Sequence, residues 1–192
     1  MAKAEKQHDD ARIAAAALRL AAAKGWERVT LDAVARAAKM PVAGLRARLV
    51  TVNALVPMIA KAIDHEAFVA VGAGGAGPLH DRLFDLLMAR FDILQKHRQA
   101  IESMESAARH DRALACVLMR AVMDGAYRVI DAARVDSISP PRAVVAMGLV
   151  AIYAYAFCAW RADDSRDMAK TMAALDKALR WAGKTVALVT KS

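Results

Sequence analysis

Residues 30–49 read Thr-Leu-Asp-Ala-Val-Ala-Arg-Ala-Ala-Lys-Met-Pro-Val-Ala-Gly-Leu-Arg-Ala-Arg-Leu, and no other stretch restricts the fold as much. Two short helical patterns flank a break of about four residues around Lys39 to Val42. That is the spacing of a helix-turn-helix, whose second helix can enter a major groove. Thr30 is placed to cap the first helix through its hydroxyl, and Asp32 falls in the positive first turn. Val34, Ala35 and Ala38 give a small apolar face for close packing. Leu45 and Leu49 share the inner face of the second helix, which turns Arg46 and Arg48 toward solvent or phosphate. Val42 and Ala43 offer only apolar contacts, such as to a thymine methyl.

The rest of the chain predicts an all-α protein of about nine helices, because it is rich in Ala, poor in Gly and Pro, and has few β-branched runs. Its 192 residues suffice for one or two compact domains. The net charge is +8, and residues 1–52 hold ten Lys/Arg against five Asp/Glu, a surplus of five. A basic balance fits a polyanion, either nucleic acid or an anionic membrane; a solvated helical surface explains it about as well.

The pattern divides the chain into a helix-turn-helix domain (1–52), a connecting helix and Gly-rich linker (53–78) and a second helical domain (79–192). Thr51 is placed to cap the connecting helix, and Pro57 should bend it or mark a later start. Helices are expected from Leu79 to His97, Gln99 to Arg109 and Asp111 to about Val135. Asp136 to Pro141 break the pattern, and Ala143 to Trp160 follow without a charge. That run reads as a buried helix facing a core on one side and a partner on the other, rather than a membrane span. Ser165 or Asp164 should cap the last helix, with Met168, Met172, Leu175 and Leu179 as its inner stripe.

Asp163, Asp164, Ser165 and Asp167 read as helix capping rather than as a metal or acid-base cluster. The five histidines show no metal-ligand spacing, and no nucleophile motif or phosphate-cradling loop is visible. The expectation is therefore no enzyme, no metal and no cofactor. Cys116 and Cys158 read as small core residues in a reducing cytosol. The polar start of the chain does not read as a signal peptide. Phe91, Met119, Met123, Tyr127, Tyr153, Phe157 and Trp160 lie on the longest helices; singly each reads as core, and together they could line an apolar cavity.

The segment from Asp9 to Leu55 resembles the DNA-binding domain of the TetR family of bacterial transcriptional regulators. The resemblance rests on Ile13 to Lys24, the Gly25-Trp26 break, Val29-Thr30 and Ala35 to Ala38. This chain has Lys39 at the turn position usually held by Gly, Arg46 in place of a phosphate-contacting Tyr, Leu49 in place of an aromatic and Val52 in place of a Lys. The resemblance implies a cytoplasmic, ligand-responsive regulator that binds operator DNA through Thr30, Lys39, Val42, Ala43, Arg46 and Arg48. It also implies an apolar small-molecule or lipid effector and a homodimer, here expected through the helices 143–160 and 165–184. Residues 112–182, with Trp160, Asp163, Ser165, Asp167, Thr171, Leu175 and Asp176, look like the core of the ninth Coq protein family of ubiquinone biosynthesis. That resemblance implies the alternative: a lipid-binding accessory protein with a TetR-like fold and no operator recognition.

Overall fold

The computed structural model describes residues 2–72, 77–135 and 141–189; for residues 2–5 and 184–189 the description is of backbone only. Among the described residues there are nine α-helices and no strand. They are α1 (Ala2–Lys24), α2 (Leu31–Ala37), α3 (Val42–Arg48), α4 (Val56–Val71), α5 (Leu79–Lys96), α6 (Arg98–Ala108), α7 (Arg112–Ala132), α8 (Arg142–Arg161) and α9 (Ala169–Val189). Short 3-10 turns occupy Trp26–Arg28 and Val52–Leu55. The second turn makes α4 begin at Val56, one residue before Pro57, where a missing N–H costs nothing. Most of the glycine linker and the break at 136–140 lie outside the described residues.

The chain forms two compact units that interleave along the sequence: Met1–Glu66 with Ile93–Val122, and Ala67–Asp92 with Met123–Ser192. The linear division at residues 52 and 78 misses this arrangement. In the first unit α6 packs on α1 and on the Trp26 turn through Ala100, Met104 and Ala107. α1 presents Ile13, Ala14, Ala17, Leu18 and Ala21 to this core. Gly25 ends α1 at φ +81°, a left-handed conformation that suits glycine, and its N–H donates to the Ala21 carbonyl at 3.0 Å. The Ser103 hydroxyl donates to the same carbonyl at 3.2 Å. Asp111 caps α7 by accepting the Leu114 N–H at 3.0 Å, and it accepts the Asn53 amide at 3.1 Å. These bonds, the Leu114 one foremost, hold its carboxyl below the usual carboxylate range.

In the second unit α8 packs on α9. Its buried stripe is Ala146, Leu149, Tyr153, Ala156 and Trp160, alternating three and four residues apart. The opposite face is exposed and apolar, so the expected burial holds on one side only. Cys158 is exposed on α8 and Cys116 on α7, which corrects their reading as core residues. Apolar sequence neighbours do not decide which way a single small side chain points.

Asp163 joins α8 to α9. Its carboxylate is buried and accepts the Thr171 N–H and hydroxyl, each at 2.8 Å, the Ser165 N–H at 3.1 Å and the Ser165 hydroxyl. Burial pushes its carboxyl up, but the four donors outweigh burial and hold it far below the carboxylate range. Ser165 in turn accepts the Ala169 N–H at 3.1 Å. The capping expected of this segment is present, with α9 starting at Ala169 and Asp163 as its centre. Thr171 is drawn inward by Asp163, so the buried stripe is Met168, Thr171, Leu175 and Leu179 while Met172 faces out.

The Asp163→Asn variant, which keeps one acceptor oxygen and loses the charge, should lose about 2 kcal/mol at pH 7. A folded-state carboxyl below its unfolded value of about 3.9 contributes stability above that pH and loses it as pH falls further. The stability gap between wild type and variant should therefore narrow below about pH 4; a gap independent of pH in urea titrations refutes this account.

Candidate nucleic-acid interface

The two helices of the helix-turn-helix are seven residues each, too short to persist alone, so neighbours must hold them. Val34, Ala35, Ala38 and Leu45 are buried between them and α1. Thr30 caps α2 as expected, its hydroxyl accepting the Ala33 N–H at 3.2 Å. The turn that follows α2 is a Schellman motif. The Met40 N–H reaches the Ala35 carbonyl at 2.9 Å, and the Lys39 N–H the Arg36 carbonyl at 3.1 Å. Lys39 sits at the left-handed position, φ +54°, where glycine is preferred.

Two arginines of α1 compensate. The Arg12 guanidinium donates to the Ala38 carbonyl and, at 3.3 Å, to that of Lys39, while Asp9 steadies it from one turn away at 3.4 Å. Arg19 donates to the Ala37 carbonyl at 3.4 Å. Cations thus meet the negative end of α2 and occupy carbonyls that have no partner inside the helix. Sequence reasoning counted Arg12 and Arg19 only as part of a basic surplus; their targets lie 18 to 27 residues away, beyond any periodic signal.

The candidate DNA contacts all lie on this motif. Thr30, Lys39, Ala43, Arg46 and Arg48 are exposed, and Val42 is half-buried. Ala43, Gly44 and Ala47 make the outward surface of α3 small, which permits close approach to a groove wall. Both cations of α3 are engaged within the unit. Arg46 Nε and Nη2 donate to the two Asp32 oxygens at 2.7 and 2.8 Å, a fork-to-fork pair. Arg48 pairs with Asp10 of α1. A groove of about 470 Å³ opens beside that pair, lined by Lys6, Gln7, Asp10 and Ala11 of α1 and by Pro57, Met58, Lys61, Ala62 and His65 of α4. Nothing in the sequence pattern signalled it.

The aromatic candidates form a ladder in the second unit. Ring centroids of Phe91 and Tyr153 are 5.2 Å apart, Tyr153 and Phe157 6.1 Å, Phe157 and Trp160 5.2 Å. The buried Arg90 guanidinium lies 4.9 Å from the Tyr153 ring centre. It also sits where a Cβ on Gly125 would come within 3.1 Å, which explains a glycine inside α7. Met123 and Tyr127 are half-buried on α7, and Arg142 stands 5.6 Å over the Tyr127 ring. Met119 is 61% exposed and belongs to the first unit. Among the described residues no three His, Cys, Asp or Glu side chains are grouped to hold a metal ion.

The sequence matches no family model and no curated protein. Solved structures share the fold. A TetR transcriptional regulator from Nitrosomonas europaea aligns with TM-score 0.70 at 20% identity, over 91% of this chain and 97% of that one. A TetR regulator from Rhodococcus sp. RHA1 aligns with TM-score 0.60 at 17% identity, with coverage of 91% and 97%. The multidrug binding protein EbrR, solved with imidazole, aligns with TM-score 0.52 at 22% identity over 87% of each chain. The fold is therefore that of the TetR-type regulators. The resemblance of residues 112–182 to the ubiquinone-biosynthesis family finds no support here.

Lys39→Gly should raise stability by about 0.5–1 kcal/mol by relieving the left-handed backbone. Arg12→Ala should lower it by about 1 kcal/mol through the carbonyls it abandons. Paired thermal melts check both; a destabilised Lys39→Gly would mean that the lysine side chain has a holding role of its own.

Proposed function

We propose that this protein is a cytoplasmic, ligand-responsive transcriptional regulator that binds duplex DNA as a homodimer through α3. The observation that carries the reading is the helix-turn-helix itself: α3 lies outermost on the motif with a small-residue surface. The end of α2 and the turn that leads into α3 are held by Arg12 and Arg19. A TetR-type fold over nine-tenths of the chain supports the same reading. Thr30 at the start of α2 and Lys39 at the turn into α3 serve as phosphate contacts, and Val42 and Ala43 supply apolar contact with base edges.

The dimer reading rests on the uncovered face of α8 and α9. Val144, Met147 and Tyr155 of α8, with Met172 and Trp181 of α9, are large apolar side chains at least two-fifths exposed. A second copy of the same face covers such a patch with matching chemistry, and two copies set the spacing of two α3 helices along DNA. The effector reading places an apolar ligand against the Phe91 to Trp160 ladder, where binding that favours one α3 spacing would alter DNA affinity.

The test is titration of a mixed-sequence duplex at several salt concentrations. Binding whose log affinity falls linearly with log salt is expected; no detectable binding at low salt overturns the reading. Light scattering should give a dimer for wild type and a monomer or insoluble protein for Ala151→Glu, at the exposed centre of α8. A wild-type monomer at micromolar concentration refutes the dimer.

A further inference from the structure

We propose that Asp32 and Asp10 are affinity-setting residues, internal counter-charges that a DNA backbone must displace or tolerate when α3 docks. The inference rests on the DNA-binding reading above and adds to it a restraint built into the same site.

α3 carries two charged side chains, Arg46 and Arg48, and no acid. Alone it would present two positive charges to a groove lined by phosphates. Two carboxylates from two other helices neutralise it. Asp32, 14 residues earlier on α2, takes Arg46, and Asp10, 38 residues earlier on α1, takes Arg48. The Arg46 pair uses both Nε and Nη2 against both carboxylate oxygens. That fork is the geometry in which a guanidinium grips a phosphate, so Asp32 and a phosphate compete for the same two N–H groups. If Arg46 turns its remaining N–H groups to a phosphate and keeps Asp32, the carboxylate stays beside the phosphate and offsets the attraction. If Arg46 lets go, Asp32 is left unpaired near a polyanion. Either route makes the contact weaker than a free arginine would make it. The same holds for Arg48 and Asp10. Arg46 is 63% exposed and Asp32 34%, so the exchange needs no unfolding.

Neutralising Asp32 should therefore strengthen DNA binding without adding any basic residue. For Asp32→Asn the expected result on a mixed-sequence duplex is a gain of about tenfold at roughly 50 mM salt. The slope of log affinity against log salt should steepen by up to about 0.9, one phosphate's worth. Asp10→Asn should act alike through Arg48, and serves if the Asp32 variant melts early. Glu27→Gln, an exposed acid outside these pairs, controls for net charge and should change affinity less. The gain must shrink when Asp32→Asn is made in an Arg46→Gln background, where only the like-charge repulsion remains to be relieved. If wild type binds but Asp32→Asn and Asp10→Asn leave affinity and slope unchanged or weaker, the proposal falls while the DNA-binding reading stands. A gain matched by Glu27→Gln, or one undiminished in the Arg46→Gln background, likewise overturns it. If neither wild type nor variants bind duplex at low salt, both fall.

Discussion

A helix of seven residues ends with carbonyls that have no partner inside it, and α2 ends where the chain must reverse within a few residues to begin α3. The angle at which α3 leaves depends on how that end is closed. Here the closure is a Schellman turn built on a lysine, and the cation that steadies it comes from α1. Arg12 meets two carbonyls and is itself positioned by Asp9 on the preceding turn of α1. α1 in turn is fixed by α6, through the apolar contact of Ala100, Met104 and Ala107 and the Ser103 bond to Ala21. The outermost helix of the motif is thus referred back, step by step, to the core of its unit.

Charge on this chain acts at two ranges. The net charge of +8 sets a long-range field that favours polyanions whatever the local pairing. Contact chemistry is decided within a few ångströms, and there α3 is close to neutral because Asp32 and Asp10 lie against it. The arginines of α1 are also committed, to the end of α2. Basic residues counted from sequence therefore overstate the charge presented on the outward side of α3. Arg46 does not by itself add a free cation, since it lies with the Asp32 carboxylate in reach.

What the sequence made legible was local. Helix positions, the Thr30 cap, the buried face of α2 and the late start of α4 follow from spacings of three and four or from single capping and proline positions. What it concealed was set by distant partners. Met172 faces out because Asp163, nine residues before it, pulls Thr171 inward. Met119 is exposed and falls in the first unit because the division of units cuts α7 between Val122 and Met123, where no linker marks it. Cys116 and Cys158 sit in apolar runs yet on outward faces. The counter-charges of Arg46 and Arg48 lie 14 and 38 residues away, and no periodicity connects such positions. The candidate DNA residues were legible as a set, and the state of their charges was not.

α8 shows how an almost uniformly apolar helix is accommodated. Length and composition alone would let it cross a membrane. Yet Ala146, Leu149, Tyr153, Ala156 and Trp160 are buried against protein at alternating steps of three and four, so one side already has a fitted partner. The outer side alternates large and small residues: Val144 and Met147 stand beside Gly148, and Tyr155 beside Ala151 and Ala154. Small residues at that spacing let another helix approach closely, and the large ones fill the space around it. The Asp163 cap holds the start of α9 against the end of α8, so Met172 and Trp181 extend the apolar surface onto a second helix. A lipid surface requires no such alternation of size; a complementary protein face does. The buried carboxylate at the α8–α9 junction thus has a consequence on the outside of the molecule: it fixes the start of the helix that carries the exposed Met172 and Trp181 beside the one that carries Met147 and Tyr155.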